Sequence, residues 1–349
     1  MVRYLENGSN VALISPRRYG KTGLIYHVFD TLRARSREVE LYYVDIYATN
    51  SADDFIAMLT EAISHTLKKD SLVKSFLKAL GRVRPVFGQD PLSGNPQISF
   101  TFQSDAERRY SLKALLDFLE SRPRKVILAI DEFQQVRQYE GLSMEALLRT
   151  YIQPLKNVQF IFSGSRKHMI AEMFTAENSP FYESASVYSI DKIERSVYAG
   201  FIVSQFETQN KRISEEAVSF VLDWTRCHTY YTQFLCNRIF QSVRKDASLV
   251  DALVAADTIL KEHHDSFLER RNFLTPKQWN YLIAVAKEEW VSEPTGAAFL
   301  QKYKLGAPSS VARLLGSLTE KELLLETPTK EGSIYSVYNV FFSRWLERC

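Results

Sequence analysis

The feature that most constrains the fold is a short apolar segment, a polar loop and a helical pattern in succession, close to residue 1. Residues 11–14 are Val-Ala-Leu-Ile, residues 15–22 are Ser-Pro-Arg-Arg-Tyr-Gly-Lys-Thr, and residues 23–29 have the apolar spacing of a helix. Backbone N–H groups at a helix N-terminus point outward without intrahelical partners, and the helix dipole favours negative charge there. This unit therefore predicts a phosphate-binding loop between a strand and a helix.

Three residues of this loop have defined chemical roles in the prediction. Lys21 is expected to reach the β- and γ-phosphates of ATP, and the hydroxyl of Thr22 is expected to hold Mg²⁺. Gly20 lets the backbone approach a phosphate without a Cβ in the way. The whole predicted nucleotide-binding loop consists of Ser15, Pro16, Arg17, Arg18, Tyr19, Gly20, Lys21, Thr22 and Gly23. The usual pattern opens with Gly where this chain has Ser15, and the alternative is a strand-to-helix turn that happens to contain a lysine.

A second apolar run, residues 125–130, ends in the acidic pair Asp131-Glu132. Continuous apolar strands suit a parallel sheet that is covered on both faces, and open sheets of this kind bind ligands beyond the carboxyl ends of their strands. Asp131 is expected to hold Mg²⁺ through water, and Glu132 to polarise an attacking water. Two solvated acids after an ordinary strand are the alternative, but the phosphate loop and the acidic pair together favour a nucleotide site.

A third apolar run, residues 158–162, leads into Ser163-Gly164-Ser165-Arg166. In many ATPases with an additional central strand, a polar residue at this strand end senses the γ-phosphate. Ser163 or Ser165 is expected to do so here, and Arg166 is expected to bind the phosphate charge bidentately. The alternative is a Ser/Gly turn followed by an arginine at the start of a helix.

The sequence resembles the archaeal-type ATPases, which also occur widely in bacteria, in the stretches ISPRRYGKTGLI, ILAIDEFQQV and FIFSGSRKHMI. These proteins are STAND-like P-loop ATPases related to the AAA+ and Orc/Cdc6 proteins. The resemblance covers nearly the whole chain and implies an ATPase core, a helical lid and a winged helix, with ATP or ADP and Mg²⁺ as ligands. Family members usually have an upstream segment that helps to enclose the adenine. Only about ten residues precede Val11, so we expect either that the start is trimmed or that the base pocket is built in another way.

Composition excludes several classes of protein. Of the 349 residues, 45% are apolar and 24% are charged, and the net charge is +3, which is too small to argue for nucleic-acid binding on charge alone. No apolar run approaches the length of a membrane span and no signal peptide is present, so a cytoplasmic protein without a membrane partner is expected. Cys227, Cys236 and Cys349 lack the spacing of metal ligands and are expected to be reduced thiols.

Periodicity divides the chain into three predicted regions. Residues 1–191 form an α/β P-loop NTPase core of the additional-strand (ASCE) type, with a parallel sheet covered by helices on both faces. Its strands are predicted at 11–15, 40–47, 125–130, 158–163 and 185–190, with an inserted hairpin or loop at about 81–101 that contains Arg82 and Arg84 as possible partner contacts. Residues 192–272 form a helical lid expected to pack over the nucleotide, and residues 273–349 form a winged helix-turn-helix.

Several polar residues have two interpretations at this stage. Asp45, at the end of the second strand, lies near the Mg²⁺ site or, as is favoured, bonds to its own loop. Arg17 and Arg18 contact phosphate, act across a subunit boundary, or hold the loop in place by pairing with Asp131 or Glu132.

His228 is a further candidate for contact with the phosphate or the ribose. The family usually has a Gly-His-Pro turn at this point, at a helix start near the nucleotide, and here Cys227 and Thr229 stand in place of Gly and Pro. The favoured alternative is a helix N-cap with a half-buried histidine.

The predicted winged helix has little net charge. Residues 273–349 contain nine Lys and Arg and eight Asp and Glu, which gives a net charge of +1. The predicted recognition helix and its end offer Arg313 and Lys321 but also Glu320 and Glu322. A reader of duplex DNA normally has a basic stripe, so double-stranded DNA and a protein remain alternative partners for this region.

Together these patterns predict attack of water on the γ-phosphate of ATP, with Glu132, Lys21 and Arg166 as the catalytic residues and Thr22 and Asp131 as the metal ligands. The cycle would move the lid and the winged helix as a nucleotide-gated switch, and self-association or a protein partner would supply a further arginine. The alternative is a nucleotide-dependent DNA-binding or scaffold protein with negligible turnover.

Overall fold

The computed structural model describes residues 1–36, 38–66, 86–89, 96–99, 102, 104–329 and 332–349. The chain forms two compact units, Met1–Asp191 and Lys192–Cys349. Each unit is described by itself below. Arg82 and Arg84, in the predicted insertion, lie outside the described residues.

The first unit alternates strands and helices. Its strands are β1 (Val11–Ile14), β2 (Val39–Asp45), β3 (Val86–Gln89), β4 (Pro96–Ser99), β5 (Lys125–Asp131), β6 (Val158–Gly164) and β7 (Ser186–Ser189). Its helices are α1 (Val2–Glu6), α2 (Lys21–Arg35), α3 (Ala52–Thr66), α4 (Asp105–Glu120), α5 (Met144–Ile152) and α6 (Lys167–Thr175), with a 3-10 helix at Phe133–Gln138. The short helix α1 was not predicted from the sequence.

Five of these strands form one parallel sheet in the order β2-β5-β6-β1-β7. Strand β6 lies between β1, which leads into the phosphate loop, and β5, which ends in the acidic pair. This placement is the additional central strand that the sequence predicted, and the predicted fold class is confirmed. Within the predicted insertion, β3 and β4 pair antiparallel.

The sheet is buried on both faces because alternate residues of each strand enter different cores. Ala12 and Ile14 of β1 pack with helices α3 to α6 in one cluster. Val11 and Leu13 pack with α2 in the other cluster. Every residue of β6 is buried, including Gln159 and Ser163, as suits a central strand that is covered on both faces.

The second unit is mainly helical. Its elements are α7 (Arg195–Glu207), β8 (Arg212–Ile213), α8 (Glu215–Trp224), α9 (Thr229–Ser242), β9 (Asp246–Ala247), α10 (Leu249–Glu262), α11 (His264–Glu269), α12 (Pro276–Lys287), α13 (Ala297–Tyr303), α14 (Pro308–Glu320), β10 (Leu324–Thr329), β11 (Gly332–Val337) and α15 (Val340–Leu346), with a 3-10 helix at Arg270–Phe273. Helices α12 to α14 and the antiparallel pair β10–β11 form the predicted winged helix. Helix α15 was not predicted.

Helix α15 joins the winged helix to the helices before it. Phe341 packs against Tyr231 of α9 with ring centroids 4.7 Å apart. The guanidinium of Arg344 donates to the backbone carbonyls of Asp223 and Trp224 at 3.0 and 2.9 Å, at the carboxyl end of α8. The predicted lid and the winged helix therefore share one hydrophobic core.

Candidate functional site

The loop between β1 and α2 has the backbone that a phosphate site requires. Gly20 is the N-cap of α2 and has φ of 92°, and Arg18 is also left-handed with φ of 66°. No side-chain oxygen caps this 15-residue helix, and its first turn contains no acid. Such an N-terminus suits an anionic ligand. The loop opens with Ser15 in place of the usual Gly. Ser15 is not among the described residues with positive φ, so its backbone does not need glycine.

Lys21 is 6% exposed, and its ammonium group bonds to carbonyls of its own loop. Nζ donates to the carbonyl oxygens of Ser15 and Pro16, each at 3.2 Å. Burial lowers the pKa of Lys21, while the nearby charges of Glu132 and Asp131 oppose that shift. A buried ammonium group with only carbonyl partners is incompletely solvated, so a phosphate beside it would be stabilising.

Thr22 and Asp131 lie together at the start of α2 and the end of β5. The exposed Thr22 donates from Oγ1 to Oδ2 of the buried Asp131 at 3.0 Å. The hydroxyl of Tyr43 donates to the same oxygen at 3.0 Å, and Oδ1 accepts from the backbone N–H of Glu132 at 3.0 Å. A hydroxyl and a carboxylate are hard oxygen donors, which Mg²⁺ prefers, and Mg²⁺ bound with a nucleotide takes most of its other ligands from phosphate and water. These two residues fit that ion.

Asp45 is the neighbour of Asp131 in the β2–β5 register. Its Oδ1 accepts from the backbone N–H of Tyr47 at 2.9 Å, which agrees with the favoured interpretation of a loop-bonding carboxylate. Partial desolvation raises the pKa of Asp45, and the charges of Asp131 and Glu132 raise it further. Three carboxylates thus converge on one edge of the sheet and raise the cost of negative charge there until a cation is bound.

Glu132 is held by three hydrogen bonds to a single oxygen. Its Oε2 accepts from Nε2 of Gln134 at 2.5 Å, from Oγ of Ser165 at 2.7 Å and from the backbone N–H of Ser165 at 3.3 Å. Its backbone is left-handed, with φ of 57°. A Cβ at Gly164 would lie 2.1 Å from Oε1 of Gln134, so any larger residue here would displace the Gln134 side chain. The carboxylate is accordingly fixed in one direction.

Arg17 extends from the phosphate loop towards the ends of β6 and β2. Its Nε donates to Oγ of Ser165 at 3.3 Å, and its guanidinium lies 5.8 Å from the centre of the Tyr47 ring. Ser165 therefore connects Arg17 with Glu132.

Two of the other residues predicted to contact phosphate, Ser163 and Arg166, differ in exposure. Ser163 is fully buried and its hydroxyl has no hydrogen-bond partner, whereas Arg166 is exposed and contacts Met169.

The first unit thus brings together the phosphate loop, Asp131, Glu132, Ser163 and Arg166, whereas His228 lies in the second unit. His228 is the N-cap of α9 and is buried, with its ring 4.5 Å from that of Tyr231. Cys227 has φ of 54°, which explains why the family pattern has Gly at this position. The roles of all these residues in binding and catalysis stay predictions.

Sequence reasoning missed two residues of the site, Tyr43 and Gln134. Tyr43 precedes Asp45 by two positions, so strand alternation places both on the same face of β2, and this was a usable signal. Gln134 follows the acidic pair in a 3-10 helix, and no pattern in the sequence marked it.

Comparison with known families matches two segments of the chain. Residues 4–170 match the family described as "AAA domain", and residues 265–348 match the family described as "Probable winged helix domain". The chain therefore has an AAA-type P-loop domain followed by a winged helix domain at its carboxyl end. The resemblance drawn from the three sequence motifs is confirmed at this level. A comparison with curated protein sequences gives no match.

Solved structures with the same fold include archaeal ATPases and origin-recognition proteins. The Walker-type ATPase PABY2304 of Pyrococcus abyssi has a TM-score of 0.64 and 16% identity, over 99% of this chain and 94% of that one. The ORC2 protein of Aeropyrum pernix, in ADPNP–ADP complexes, has a TM-score of 0.59 and 13% identity, over 99% and 89%. The ORC1 protein of the same organism, in complex with DNA, has a TM-score of 0.51 and 13% identity, over 99% and 91%. At these identities the likeness establishes the fold alone.

The described residues contain neither a ready-made metal cluster nor a helix suited to a membrane. Within that part of the chain, no group of three or more His, Cys, Asp or Glu side chains is arranged to hold a metal ion. None of the helices described here has the length and apolar character needed to cross a membrane.

Proposed function

We propose that the chain binds ATP with Mg²⁺ at the carboxyl edge of its parallel sheet and hydrolyses it slowly to ADP and phosphate, as a nucleotide-gated switch. The observation that carries this proposal is the convergence of Lys21, Thr22 and Asp131. A buried ammonium group bonded only to carbonyls lies beside an exposed hydroxyl and an oriented carboxylate. This arrangement supplies a cation for the phosphates and two oxygen ligands for the metal ion.

Each residue has one task in this proposal. Lys21 exchanges its two carbonyl partners for oxygens of the β- and γ-phosphates, and Thr22 and Asp131 hold Mg²⁺, the latter through water. Bound Mg²⁺ neutralises charge on the phosphate oxygens. Glu132 orients the attacking water, and Arg166, which is exposed, is available to bind the γ-phosphate charge. Ser163 contributes a buried hydroxyl that lacks a partner in the protein.

Slow turnover follows from the state of Glu132. Its Oε2 already accepts three hydrogen bonds that fix the direction of the carboxylate, so turning the carboxylate towards the attacking water would break some of them. Hydrogen bonds to an ionised group contribute about 1.5–3 kcal/mol each, and this cost adds to the barrier. A partner or a second copy of the chain that shifts Ser165 or Gln134 would therefore accelerate hydrolysis.

Turnover and binding by the purified chain test this proposal when they are measured together. Glu132→Gln is expected to bind ATP as tightly as the wild type and to lose hydrolysis, whereas Lys21→Ala is expected to lose both. Normal turnover by Glu132→Gln would exclude Glu132 as the residue that orients water. Tight ATP binding without turnover in the wild type would support a switch that awaits a partner, and failure to bind ATP at all would overturn the proposal.

The winged helix supports a contact with another macromolecule as the alternative function. The exposed residues of α14 include one cation, Arg313, and one acid, Glu320, so this helix offers little attraction for phosphate. A protein partner therefore fits α14 better than duplex DNA does, although the similar ORC1 structure was solved with DNA. Retention on duplex DNA at ~50 mM salt, falling as salt rises, would reverse this preference.

A further inference from the structure

We propose that Tyr43 is a positioning residue for the Mg²⁺ site: its hydroxyl holds the Asp131 carboxylate in the orientation that the ion requires. The inference rests on the proposed function, because it assumes that Asp131 serves Mg²⁺ bound with ATP. Tyr43 belongs to β2 and Asp131 to the neighbouring strand β5. The register pairs Tyr43 with Ala129, so Asp131 is the next residue on the same face.

The hydrogen bonds of Asp131 leave its carboxylate little freedom to rotate. Oδ2 accepts from Tyr43 and from Thr22, each at 3.0 Å, and Oδ1 accepts from the backbone N–H of Glu132, also at 3.0 Å. The Thr22 hydroxyl is itself the other metal ligand in the proposal, and Glu132 is the residue proposed to orient the attacking water. Of the three donors, only Tyr43 has no other task at the site, and it can act as a constant support.

The Tyr43 ring is fixed by its neighbours. It is half-buried, and its centroid lies 5.2 Å from that of Tyr26 on α2, the helix that begins at the phosphate loop. The phenolic hydroxyl of tyrosine is a donor at neutral pH, and here it donates to Oδ2 of Asp131 at 3.0 Å. Tyr43 therefore belongs to the sheet, contacts helix α2 through its ring, and holds the proposed metal ligand Asp131 through its hydroxyl.

Orientation matters more to Mg²⁺ than to larger ions. Mg²⁺ demands near-ideal octahedral geometry, whereas Ca²⁺ accepts irregular sets of oxygen ligands. Partners that orient a metal ligand change metal affinity by about 10- to 100-fold when they are removed. The loss of the Tyr43 hydroxyl is therefore expected to weaken Mg²⁺ binding in the presence of ATP more than Ca²⁺ binding.

The test compares Tyr43→Phe with Tyr26→Phe in the full chain. Tyr26 is the matched control, because its exposed ring touches Tyr43 and no described hydrogen bond joins its hydroxyl to Asp131. The measurement is the Mg²⁺ concentration that half-saturates binding of a fluorescent ATP analogue, repeated with Ca²⁺ and with EDTA. Tyr43→Phe is expected to need about tenfold more Mg²⁺, with a smaller change for Ca²⁺ and none in EDTA. Tyr26→Phe is expected to match the wild type.

Several outcomes would overturn the inference. An unchanged Mg²⁺ requirement in Tyr43→Phe would do so, and so would an equal loss of binding in Mg²⁺ and in EDTA, which indicates a general structural effect. Asp131→Asn supplies a second test through a double-variant cycle: once the carboxylate is gone, Tyr43→Phe must add no further change in the Mg²⁺ requirement. If the wild type itself fails to bind the ATP analogue, the proposed function fails. If the wild type binds it and Tyr43→Phe has the same Mg²⁺ requirement as the wild type, only this inference fails.

Discussion

The amino and carboxyl edges of the five-stranded sheet differ in how completely their polar groups are paired. At the amino edge, Lys125 donates to the carbonyls of Leu5 and Glu6, both at 3.0 Å, and thereby caps α1. Arg122 forms a two-pronged pair with Glu40, at 2.8 and 2.9 Å, with both side chains mostly buried. These groups satisfy one another and stabilise the fold.

The carboxyl edge shows the opposite condition. Arg18 and Glu132 have left-handed backbones although neither is glycine. The buried atoms Ser163 Oγ and Gln134 Oε1 have no hydrogen-bond partner, and burial lowers the pKa of Lys21. Strain and unpaired buried groups each cost about 1–3 kcal/mol and persist only where the surrounding structure tolerates them.

The carboxyl edge, where the proposed site lies, is therefore the less stable part of the scaffold. Arg122, Glu40 and Lys125 at the amino edge bond within the protein, whereas Lys21 and Ser163 at the carboxyl edge would, in the proposed function, meet the phosphates of ATP. Substitutions at the two edges should therefore have opposite effects: a loss of binding with little loss of stability at the carboxyl edge, and the reverse at the amino edge.

Replacing the lysine at each edge of the sheet should separate nucleotide binding from folding stability most clearly. Lys21→Ala is expected to weaken ATP binding by at least about 100-fold, because charge-assisted bonds to phosphate are lost. Without nucleotide its unfolding temperature should not fall, because the lysine is buried at a cost. Lys125→Ala is the matched control and should lower stability by about 1 kcal/mol with ATP affinity unchanged.

The Lys21 prediction includes a pH dependence with a definite sign. The folded protein lowers the pKa of Lys21, so between the lowered value and the ordinary one the unfolded chain binds more protons. Stability without nucleotide should therefore rise with pH in that range, and Lys21→Ala should remove the rise. Chemical unfolding at a series of alkaline pH values measures it, and a rise of equal size in the variant would contradict the prediction.

Breaking the buried Arg122–Glu40 pair at the amino edge should lower stability more than any other change proposed here. Arg122→Ala leaves Glu40 without its cation and is expected to lower the free energy of unfolding by about 2 kcal/mol. Arg122 and Tyr42 hold the pKa of Glu40 below its usual value against the cost of burial. This contribution is present above the unfolded pKa and lost as pH falls through the folded one, so the difference between variant and wild type should shrink in acid.

Urea unfolding at neutral and at acidic pH checks the Arg122 prediction. Arg33→Ala is its control, because Arg33 pairs with Asp30 at 3.3 Å on the exposed surface, where ion pairs contribute little. A change of similar size in both variants would mean that burial of the Glu40 pair has no special weight. A clear loss of ATP affinity in Arg122→Ala would weaken the division between the two edges.

Gly164→Ala should speed hydrolysis rather than slow it. The added Cβ would displace Gln134 and remove one of the bonds that restrain Glu132. A hydrogen bond to an ionised carboxylate contributes at least about 1.5 kcal/mol, and its loss corresponds to a turnover rate roughly tenfold higher at saturating ATP. Gly200→Ala, where a Cβ meets nothing within 4 Å, is the control. A folded Gly164→Ala protein with an unchanged or slower rate would show that the Gln134 bond does not limit turnover.

Ser163→Ala should give the smallest effect. Its control is Ser111→Ala, which removes a buried hydroxyl away from the proposed site. Ser163 and Ser111 are both fully buried, and neither hydroxyl has a partner. Removing either is expected to raise the free energy of unfolding by up to about 1 kcal/mol. Only Ser163→Ala should also reduce the preference for ATP over ADP, as measured by competitive nucleotide titration. Equal preference in both variants would remove Ser163 from the predicted site.

Most of the first unit's fold could be predicted from the sequence because its signals are local. Continuous apolar runs predict buried parallel strands, and Gly20-Lys21-Thr22 at a helix start predicts a phosphate loop whatever the rest of the chain does. The winged helix was predictable for the same reason, since three helical patterns and a hairpin follow one another in the sequence. Helix α15 was missed because its seven residues are too short for periodicity to mark them.

The particular contacts of the site were decided only by the tertiary structure. Tyr43 reaches Asp131 across 88 positions, and Ser165 reaches Glu132 across 33, because the strand order places β2 and β6 on either side of β5. Strand order and register depend on how all the apolar faces pack at once, and no local pattern encodes them. The order of residues along the chain dictates which chemical groups follow each strand. The fold determined which of them meet, because hydrogen bonds require atoms about 3 Å apart, a distance that only the packed sheet sets.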